Sequence, residues 1–251
     1  MRPLEQDLSI FNKLNFEKPP VGVKFLLYKP EGIEQLDKSL AFCEMLKEAY
    51  QRGTPFYFDK ENEDCAGKFP LGMEDIPPFA ESGQIGLKLE IFQEPRANSR
   101  LYQYVPKLGK GTVNYVVFSP LDKLTFEPDL LILTATPSQA GIVLRAMSYS
   151  TGEIWDAKET PVMGCAWLYV YPYKSGKVNY TITGMCFGMK ARQVFSEGWI
   201  LISIPYDWIP IIKNNLQEMK WVPPSYTDGR DQYIARFNRV IGELVQESQN
   251  S

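Results

Sequence analysis

Four cysteines dominate the chemistry open to this sequence, because its 251 residues include no histidine. The absence of imidazole excludes a Ser-His-Asp triad, a Cys-His pair, and zinc or haem held by histidine. Any metal would therefore need cysteine, carboxylate or backbone ligands. The cysteines form two sequence pairs, 22 and 21 residues apart, and none belongs to a Cys-x-x-Cys motif: Cys43, Cys65, Cys165 and Cys186.

The neighbours of these cysteines leave several interpretations open. Cys43 lies on the apolar face of a predicted helix, where a cysteine usually behaves as a small buried hydrophobic residue. The other three have glycines nearby, which allow close backbone approach and free N–H groups to donate to a ligating sulfur. Glycine-flanked cysteines also occur in ordinary turns, so the residues alone favour structural thiols over metal ligands, with disulfides less expected in a cytosolic chain. If the four converge, their long spacing favours an iron–sulfur cluster over a structural zinc held by short local knuckles.

Apolar runs and amphipathic segments follow each other without strict alternation. This pattern predicts an α+β fold, a single compact domain over residues 1–251 with a mixed, mostly antiparallel sheet and flanking helices. Predicted strands cover residues 21–28, 54–58, 86–92, 113–118, 130–137 and 199–205. Predicted helices cover residues 4–14, 36–53, 138–149, 206–219 and 231–247, the last of them amphipathic.

Two further features are candidates for function. Residues 59–84 are polar and rich in glycine and proline, and a connection of that length is usually functional or a lid. Its acidic residues do not match an EF-hand, and we interpret them as a solvated surface. Lys24 lies in an otherwise apolar strand, where it either points inward for acid-base or anion-binding work or alternates to the solvent face.

Several motifs together resemble the family catalogued as domain of unknown function 169, found in archaea and many anaerobic bacteria. They include a Val-Gly-Val-Lys start and the cysteine-glycine segments, and they span about residues 14–219: residues 20–25, 43–53, 65–72, 128–133, 164–165, 172–176, 186–188 and 199–206. The family's activity is not established. Its recurrent cysteines match all four positions here, which implies one shared site with four thiolate ligands, a [4Fe–4S] cluster preferred. The segment after Cys186 departs from the family pattern, which leaves the role of Arg192 open.

Charge and hydropathy narrow the classes of partner. The net charge of −3 argues against nucleic-acid binding, and the sequence contains no apolar run as long as a membrane span. The polar, acidic N-terminus is not typical of a signal peptide, so we expect a cytoplasmic protein. The expected partners are a redox partner protein or a small-molecule ligand, and a homo-oligomer is left open.

The first functional hypothesis is a cytoplasmic iron–sulfur protein with a redox or electron-transfer role. Cys43, Cys65, Cys165 and Cys186 would hold one [4Fe–4S] cluster, and Lys24 is the candidate for proton transfer in a chain without histidine. Whether the protein is an enzyme is left open. The second hypothesis is a non-enzymatic binding module with inert buried thiols, whose pocket beneath residues 59–84 takes a small apolar or anionic ligand. The third is a structural zinc held by the same cysteines.

Overall fold

The computed structural model describes residues 1–249 and contains two compact units, Met1–Gln217 and Glu218–Ser251. The first unit is built on a seven-stranded sheet in the order β2-β3-β4-β1-β5-β7-β6. Neighbouring strands are antiparallel except for the parallel pair β2–β3. The strands are β1 (Val21–Leu26), β2 (Glu34–Gln35), β3 (Phe56–Phe58), β4 (Tyr115–Pro120), β5 (Leu130–Ala135), β6 (Asn179–Ile182) and β7 (Ile200–Pro205). The predicted α+β class with a mostly antiparallel sheet is confirmed, whereas a single domain over the whole chain stays a prediction.

Helices and short helical turns connect and flank these strands. The α-helices are α1 (Glu44–Arg52), α2 (Pro78–Glu81), α3 (Gln84–Lys88), α4 (Pro95–Tyr104), α5 (Pro137–Tyr149), α6 (Tyr171–Ser175), α7 (Phe187–Ala191), α8 (Ile209–Glu218) and α9 (Arg230–Gln249). Five 3₁₀ turns and one π-helical segment accompany them within residues 1–249: Ser9–Leu14, Lys60–Asn62, Leu121–Lys123, Tyr206–Trp208 and Pro224–Tyr226, with the π-helix at Ala166–Val170.

The central strands follow the apolar runs of the sequence because both of their faces are covered. Every residue of β5 is buried, as are five of the six residues of β4 and of β7. Such strands read as continuous apolar runs instead of alternating patterns. After β5, Thr136 forms a capping box with Gln139, and Pro137 occupies the first helical position of α5. This capped turn explains why the strand ends at Ala135.

The predicted strand over residues 86–92 is wrong, since the chain forms α3 there. Leu87, Leu89 and Ile91 alternate with polar residues, but no strand lies beside them. Gly86 instead packs against Asn98 of α4, so closely that a Cβ at Gly86 would lie 2.5 Å from the Asn98 amide nitrogen. Contact between two helices therefore overrides the local alternation.

Lys24 of β1 forms an ion pair with Asp129. Its Nζ lies 2.7 Å from Asp129 Oδ1, and Asp129 Oδ2 accepts the Phe25 N–H at 2.8 Å. Both charged side chains are about four-fifths buried, with exposed fractions of 20% and 19%. The pair fastens β1 to the residue before β5. Lys24 is therefore bonded within the fold, and a catalytic role for it stays a prediction.

Candidate functional site

All four cysteines line one small cavity of about 60 Å³, here called the thiol cavity. Three of them are the residues that immediately precede a helical segment, and the fourth lies in a loop. Cys43 and Cys186 are the residues just before α1 and α7, and Cys165 just precedes the π-helical segment. Cys65 comes from the loop after β3. Cys43 and Cys186 are buried, Cys165 is half-buried, and Cys65 is exposed, and all four are free thiols.

Gly164 brings the backbone next to Cys186. Its N–H donates to Cys186 Sγ at 3.3 Å, and a Cβ at this position would lie 2.8 Å from the same sulfur. Met163 before it adopts a left-handed backbone with φ of 60°, which few non-glycine residues tolerate. The Met-Gly-Cys turn is therefore shaped by the sulfur that it contacts. This is the close approach that glycine beside cysteine predicts.

Glu63 organises the loop that carries Cys65. Its side chain is buried, and its carboxylate accepts N–H groups of Phe42 at 3.0 Å, Cys65 at 3.1 Å and Gly67 at 3.2 Å. Burial raises the pKa of Glu63, and the backbone donors oppose that shift. A Cβ at Gly67 would lie 2.7 Å from Glu63 Oε1. The interpretation of this loop as uniformly solvated is therefore wrong at Glu63, which is a structural anchor.

The environment of three of these cysteines favours the neutral thiol. Burial raises the pKa of Cys43 and that of Cys165 well above the value of a free cysteine, and the neighbouring cysteines add to both shifts. Cys65 is exposed as a residue, but partial burial of its sulfur raises its pKa as well, while the Arg192 guanidinium opposes the shift. Neutral thiols are poor metal ligands and poor nucleophiles.

Arg192 ties together three segments around Cys65. Its Nη1 lies 3.0 Å from Glu44 Oε2 on α1, and its Nη2 lies 3.1 Å from Asp64 Oδ1 beside Cys65. Burial alone would lower the pKa of Arg192, but Cys65, Asp64 and Glu44 outweigh it and raise that pKa. Arg192 is therefore a clamp between α1, α7 and the Cys65 loop, a position that the sequence left open.

The prediction of an iron–sulfur protein with an electron-transfer role is wrong for this structure. Among residues 1–249, no group of three or more cysteine, aspartate or glutamate side chains is arranged so that it could hold a metal ion. The cysteines share a cavity, but their sulfurs do not form such a group. The same finding overturns the structural zinc hypothesis, which needs the same four ligands.

A second cavity of about 400 Å³, here called the loop pocket, lies beside the thiol cavity and shares Cys65 and Ala66 with it. Its volume falls in the range of small-molecule sites. Apolar and aromatic side chains line much of its wall, and four charged residues are also among the lining. The lining residues are Asp64, Cys65, Ala66, Lys68, Phe69, Glu74, Asp75, Ile76, Pro77, Phe79, Ala80, Ile85 and Tyr102.

Close glycine contacts hold the far wall of the loop pocket in place. Gly83 joins α2 to α3 with φ of 77°, and a Cβ there would lie 1.9 Å from the Pro95 carbonyl oxygen. The Asn98 side-chain amide donates to the Gly83 carbonyl at 3.3 Å. On the near side, the Gly111 N–H donates to the Gly72 carbonyl at 2.9 Å. Residues 59–84 therefore pack against α4 and against the segment around Gly111, and these contacts fix their position beside the loop pocket.

A third cavity, of about 500 Å³, lies elsewhere in the first unit and is more polar. Lys47 and Tyr50 of α1 and Gln193 after α7 are among its lining residues. The Tyr50 hydroxyl is 2.5 Å from Thr134 Oγ1, so this hydroxyl already has a partner. The cavity does not include any of the four cysteines. The thiols are therefore adjacent to the loop pocket and not to this larger cavity.

The sequence did not predict Ile85 as a site residue, and it predicted other roles for two more: a solvated loop carboxylate for Glu63 and packing in the core or at its rim for Tyr102. Glu63 is two residues before Cys65 and four before Gly67, a spacing that lets one carboxylate accept both N–H groups. Ile85 and Tyr102 belong to helices that the pattern did not predict. Pro95 at the first position of α4 is a helix-start signal that could have revealed Tyr102.

The comparisons with known proteins identify a family and no activity. The model of the domain of unknown function 169 family, described as an uncharacterised ArCR, matches residues 9–215. The chain belongs to this family, as the motifs had indicated. An uncharacterised protein of Methanocaldococcus jannaschii is 24% identical over 224 residues, which cover 87% of this chain and 95% of that protein. No solved structure matches the chain. None of the helices within residues 1–249 has the length and hydropathy of a membrane span.

Thiol reactivity offers a first test of the site. In the native protein we expect Cys65 to react with N-ethylmaleimide before the other three cysteines, because it is the exposed one. Its raised pKa places the rise in reaction rate at a more alkaline pH than for a free cysteine. Arg192→Met should move the profile further alkaline, since the guanidinium lowers that pKa. Peptide mass mapping after timed alkylation gives the order, and fast labelling of Cys43 or Cys186 would contradict it.

Proposed function

We propose that this protein binds a small, mainly apolar molecule in the loop pocket, next to the Cys65 thiol. The observation that carries the proposal is a cavity of about 400 Å³ with an apolar and aromatic wall, held open by contacts outside the pocket. Cavities of this size with a few convergent polar groups are the usual form of small-ligand sites. The role is that of a binding module, as in the second hypothesis from the sequence.

The lining indicates which ligands the pocket favours. Phe69, Ile76 and Ile85 present apolar surface, and Phe79 is 63% exposed at the rim, where a ligand would cover it. Burying an aromatic ring that is exposed in the free protein adds to the affinity for an apolar ligand. Lys68 lies 3.8 Å from Glu74, a loose ion pair that leaves its ammonium available to a polar or anionic end of the ligand.

The chemistry of the cysteines is consistent with this binding role, since Cys65 forms part of the wall of the loop pocket. Cys65 and Ala66 border both the thiol cavity and the loop pocket, so this short segment lies between the two cavities. The four cysteines are unpaired, which fits a reducing compartment, and a cytoplasmic location is part of the proposal. A neutral thiol is a small, polarisable, weakly polar group that suits an apolar wall.

Titration with 1-anilinonaphthalene-8-sulfonate, a fluorescent apolar anion, tests the proposal. We expect saturable binding that Ile85→Trp weakens by at least tenfold, because the indole fills the pocket. Leu87→Trp is the matched control, because Leu87 is in the same helix but does not line the pocket. The affinity of this variant for the dye should stay within threefold of that of the unmodified protein. Prior alkylation of Cys65 should also weaken binding. Equal affinities for the two tryptophan variants would contradict the proposal.

A further inference from the structure

Helix α9 presents an apolar face that none of the described residues of its own unit, 218–249, covers. The face consists of seven side chains, each between 38% and 55% exposed: Tyr233, Ile234, Phe237, Val240, Ile241, Leu244 and Val245. They recur at steps of three and four residues, so they form one stripe along the 20-residue helix. Most of the stability of a helix in a protein comes from the packing of its amphipathic face, so the stability of α9 depends on what covers that stripe.

The charges of α9 argue against a membrane surface as the partner. Its three arginines are balanced by three acidic residues: Arg230, Arg236, Arg239, Asp231, Glu243 and Glu247. Helices that lie on anionic membranes are instead rich in lysine and arginine on their polar face. A neutral polar face with an apolar stripe is typical of a helix that packs against protein.

The order of the charges along α9 fits a second copy of the same helix. All three arginines lie in the first half, and Glu243 and Glu247 lie in the second half. An antiparallel copy brings the basic half of one helix against the acidic half of the other, whereas a parallel copy would bring like charges together. A two-fold axis beside residues 239–240 places Arg236 opposite Glu243 of the copy and matches the two apolar stripes.

Arg236 and Glu243 can each form a contact with a second copy in addition to, or in place of, their present ion pairs. Arg236 holds Asp228 through Nε and Nη2, at 2.5 Å and 3.0 Å, which leaves its Nη1 for another acceptor. Glu243 is 3.8 Å from Arg239, and both side chains are about two-thirds exposed. Such an exposed pair contributes little, so Glu243 can exchange it for a partner across an interface.

We propose that α9 is a self-association surface, through which two copies of this chain pair as antiparallel helices. The apolar stripe forms the buried centre of the interface, and two symmetry-related Arg236–Glu243 contacts flank it. Aromatic residues at the centre of an interface usually contribute much of the binding free energy. We therefore expect Phe237 to contribute the largest share here. This surface belongs to the second unit and does not depend on the ligand proposed for the loop pocket.

Sedimentation of the full chain over a range of concentrations tests this proposal. We expect the mass to rise from 28.7 kDa towards twice that value. Phe237→Ser should weaken the dimer at least 100-fold, whereas Gln246→Ser on the opposite face should leave it within threefold. Circular dichroism of both variants shows that the fold is kept.

Charge reversal tests the antiparallel direction. Glu243→Arg should weaken the dimer about tenfold, because in each of the two contacts Arg236 would then face an arginine at position 243 of the copy. In a parallel dimer the same change replaces one like-charge contact by another and leaves the affinity unchanged. A chain that stays monomeric at several hundred micromolar would overturn the proposal. So would a monomer that sediments with phosphatidylcholine–phosphatidylserine vesicles, which would assign the stripe to a membrane.

Discussion

Glu63→Ala should lower the free energy of unfolding by about 3 kcal/mol or more, the largest loss expected from one polar side chain of the site. The substitution removes the acceptor of three backbone N–H groups, from Phe42, Cys65 and Gly67. An unsatisfied buried donor costs about 1–3 kcal/mol, and some of these groups would regain water in the variant. For a chain of this size the loss corresponds to a melting temperature lower by roughly 6–12 °C.

The matched control for Glu63→Ala is Glu61→Ala, two residues earlier in the same loop. The Glu61 side chain is 77% exposed and its ion pair with Lys60 is 3.5 Å long, so its loss should change stability by less than about 0.5 kcal/mol. Glu63→Gln keeps one acceptor oxygen and should fall between the two. Thermal unfolding followed by circular dichroism ranks the three variants. A Glu63→Ala protein as stable as Glu61→Ala would show that the buried carboxylate is not an anchor.

Gly83→Ala should collapse the far wall of the loop pocket and abolish most of its ligand binding. A Cβ at Gly83 would lie 1.9 Å from the Pro95 carbonyl oxygen and 2.8 Å from the Ser99 backbone nitrogen. Both neighbours are backbone atoms of α4, so α2 and α3 must move away from that helix. The left-handed backbone at this position adds roughly 1–2 kcal/mol for a residue with a side chain. We expect at least a tenfold loss of dye affinity in the fluorescence titration.

The effect of Gly83→Ala has two causes, the clash of the new Cβ with α4 and the left-handed backbone. The control Gly53→Ala has only the second. Gly53 follows α1 with φ of 66°, but a Cβ there would meet nothing within 4 Å. Its substitution therefore measures the backbone cost alone, about 1 kcal/mol, and should leave dye binding unchanged. If Gly83→Ala lost no more stability or affinity than Gly53→Ala, the wall would be more adaptable than this packing indicates.

The strands of the sheet core were predictable from the sequence because their apolar runs match their complete burial. β1, β5 and β7 fall within two residues of the predicted bounds at each end, and α5 begins one residue earlier than predicted. The edge strands β2 and β6 were missed, since they are short and carry no apolar run. Helices α3 and α4 were missed because their pairing depends on the contact between Gly86 and Asn98, which no local pattern encodes.

The candidate site was predictable in its residue types but not in its chemistry. The cysteines stood out because the chain has no histidine, and the glycine at 164 indicated the close approach to a sulfur. Whether the sulfurs could bind a metal depends on their three-dimensional arrangement, which sequence spacing does not determine. Glu63 was predicted to be solvated because a carboxylate in a polar loop is usually exposed, and its burial follows only from the backbone donors around it.

The most direct test of the central claim is a methyl NMR titration of the isoleucine-labelled protein with 1-anilinonaphthalene-8-sulfonate. The account predicts saturable shifts at the methyl groups of Ile76 and Ile85, which line the loop pocket, while Ile204 in the buried sheet stays unchanged. Shifts confined to Ile234 and Ile241 on the exposed face of α9, with Ile76 and Ile85 unmoved, would contradict it. That result would place apolar ligand binding outside the pocket beside the thiols.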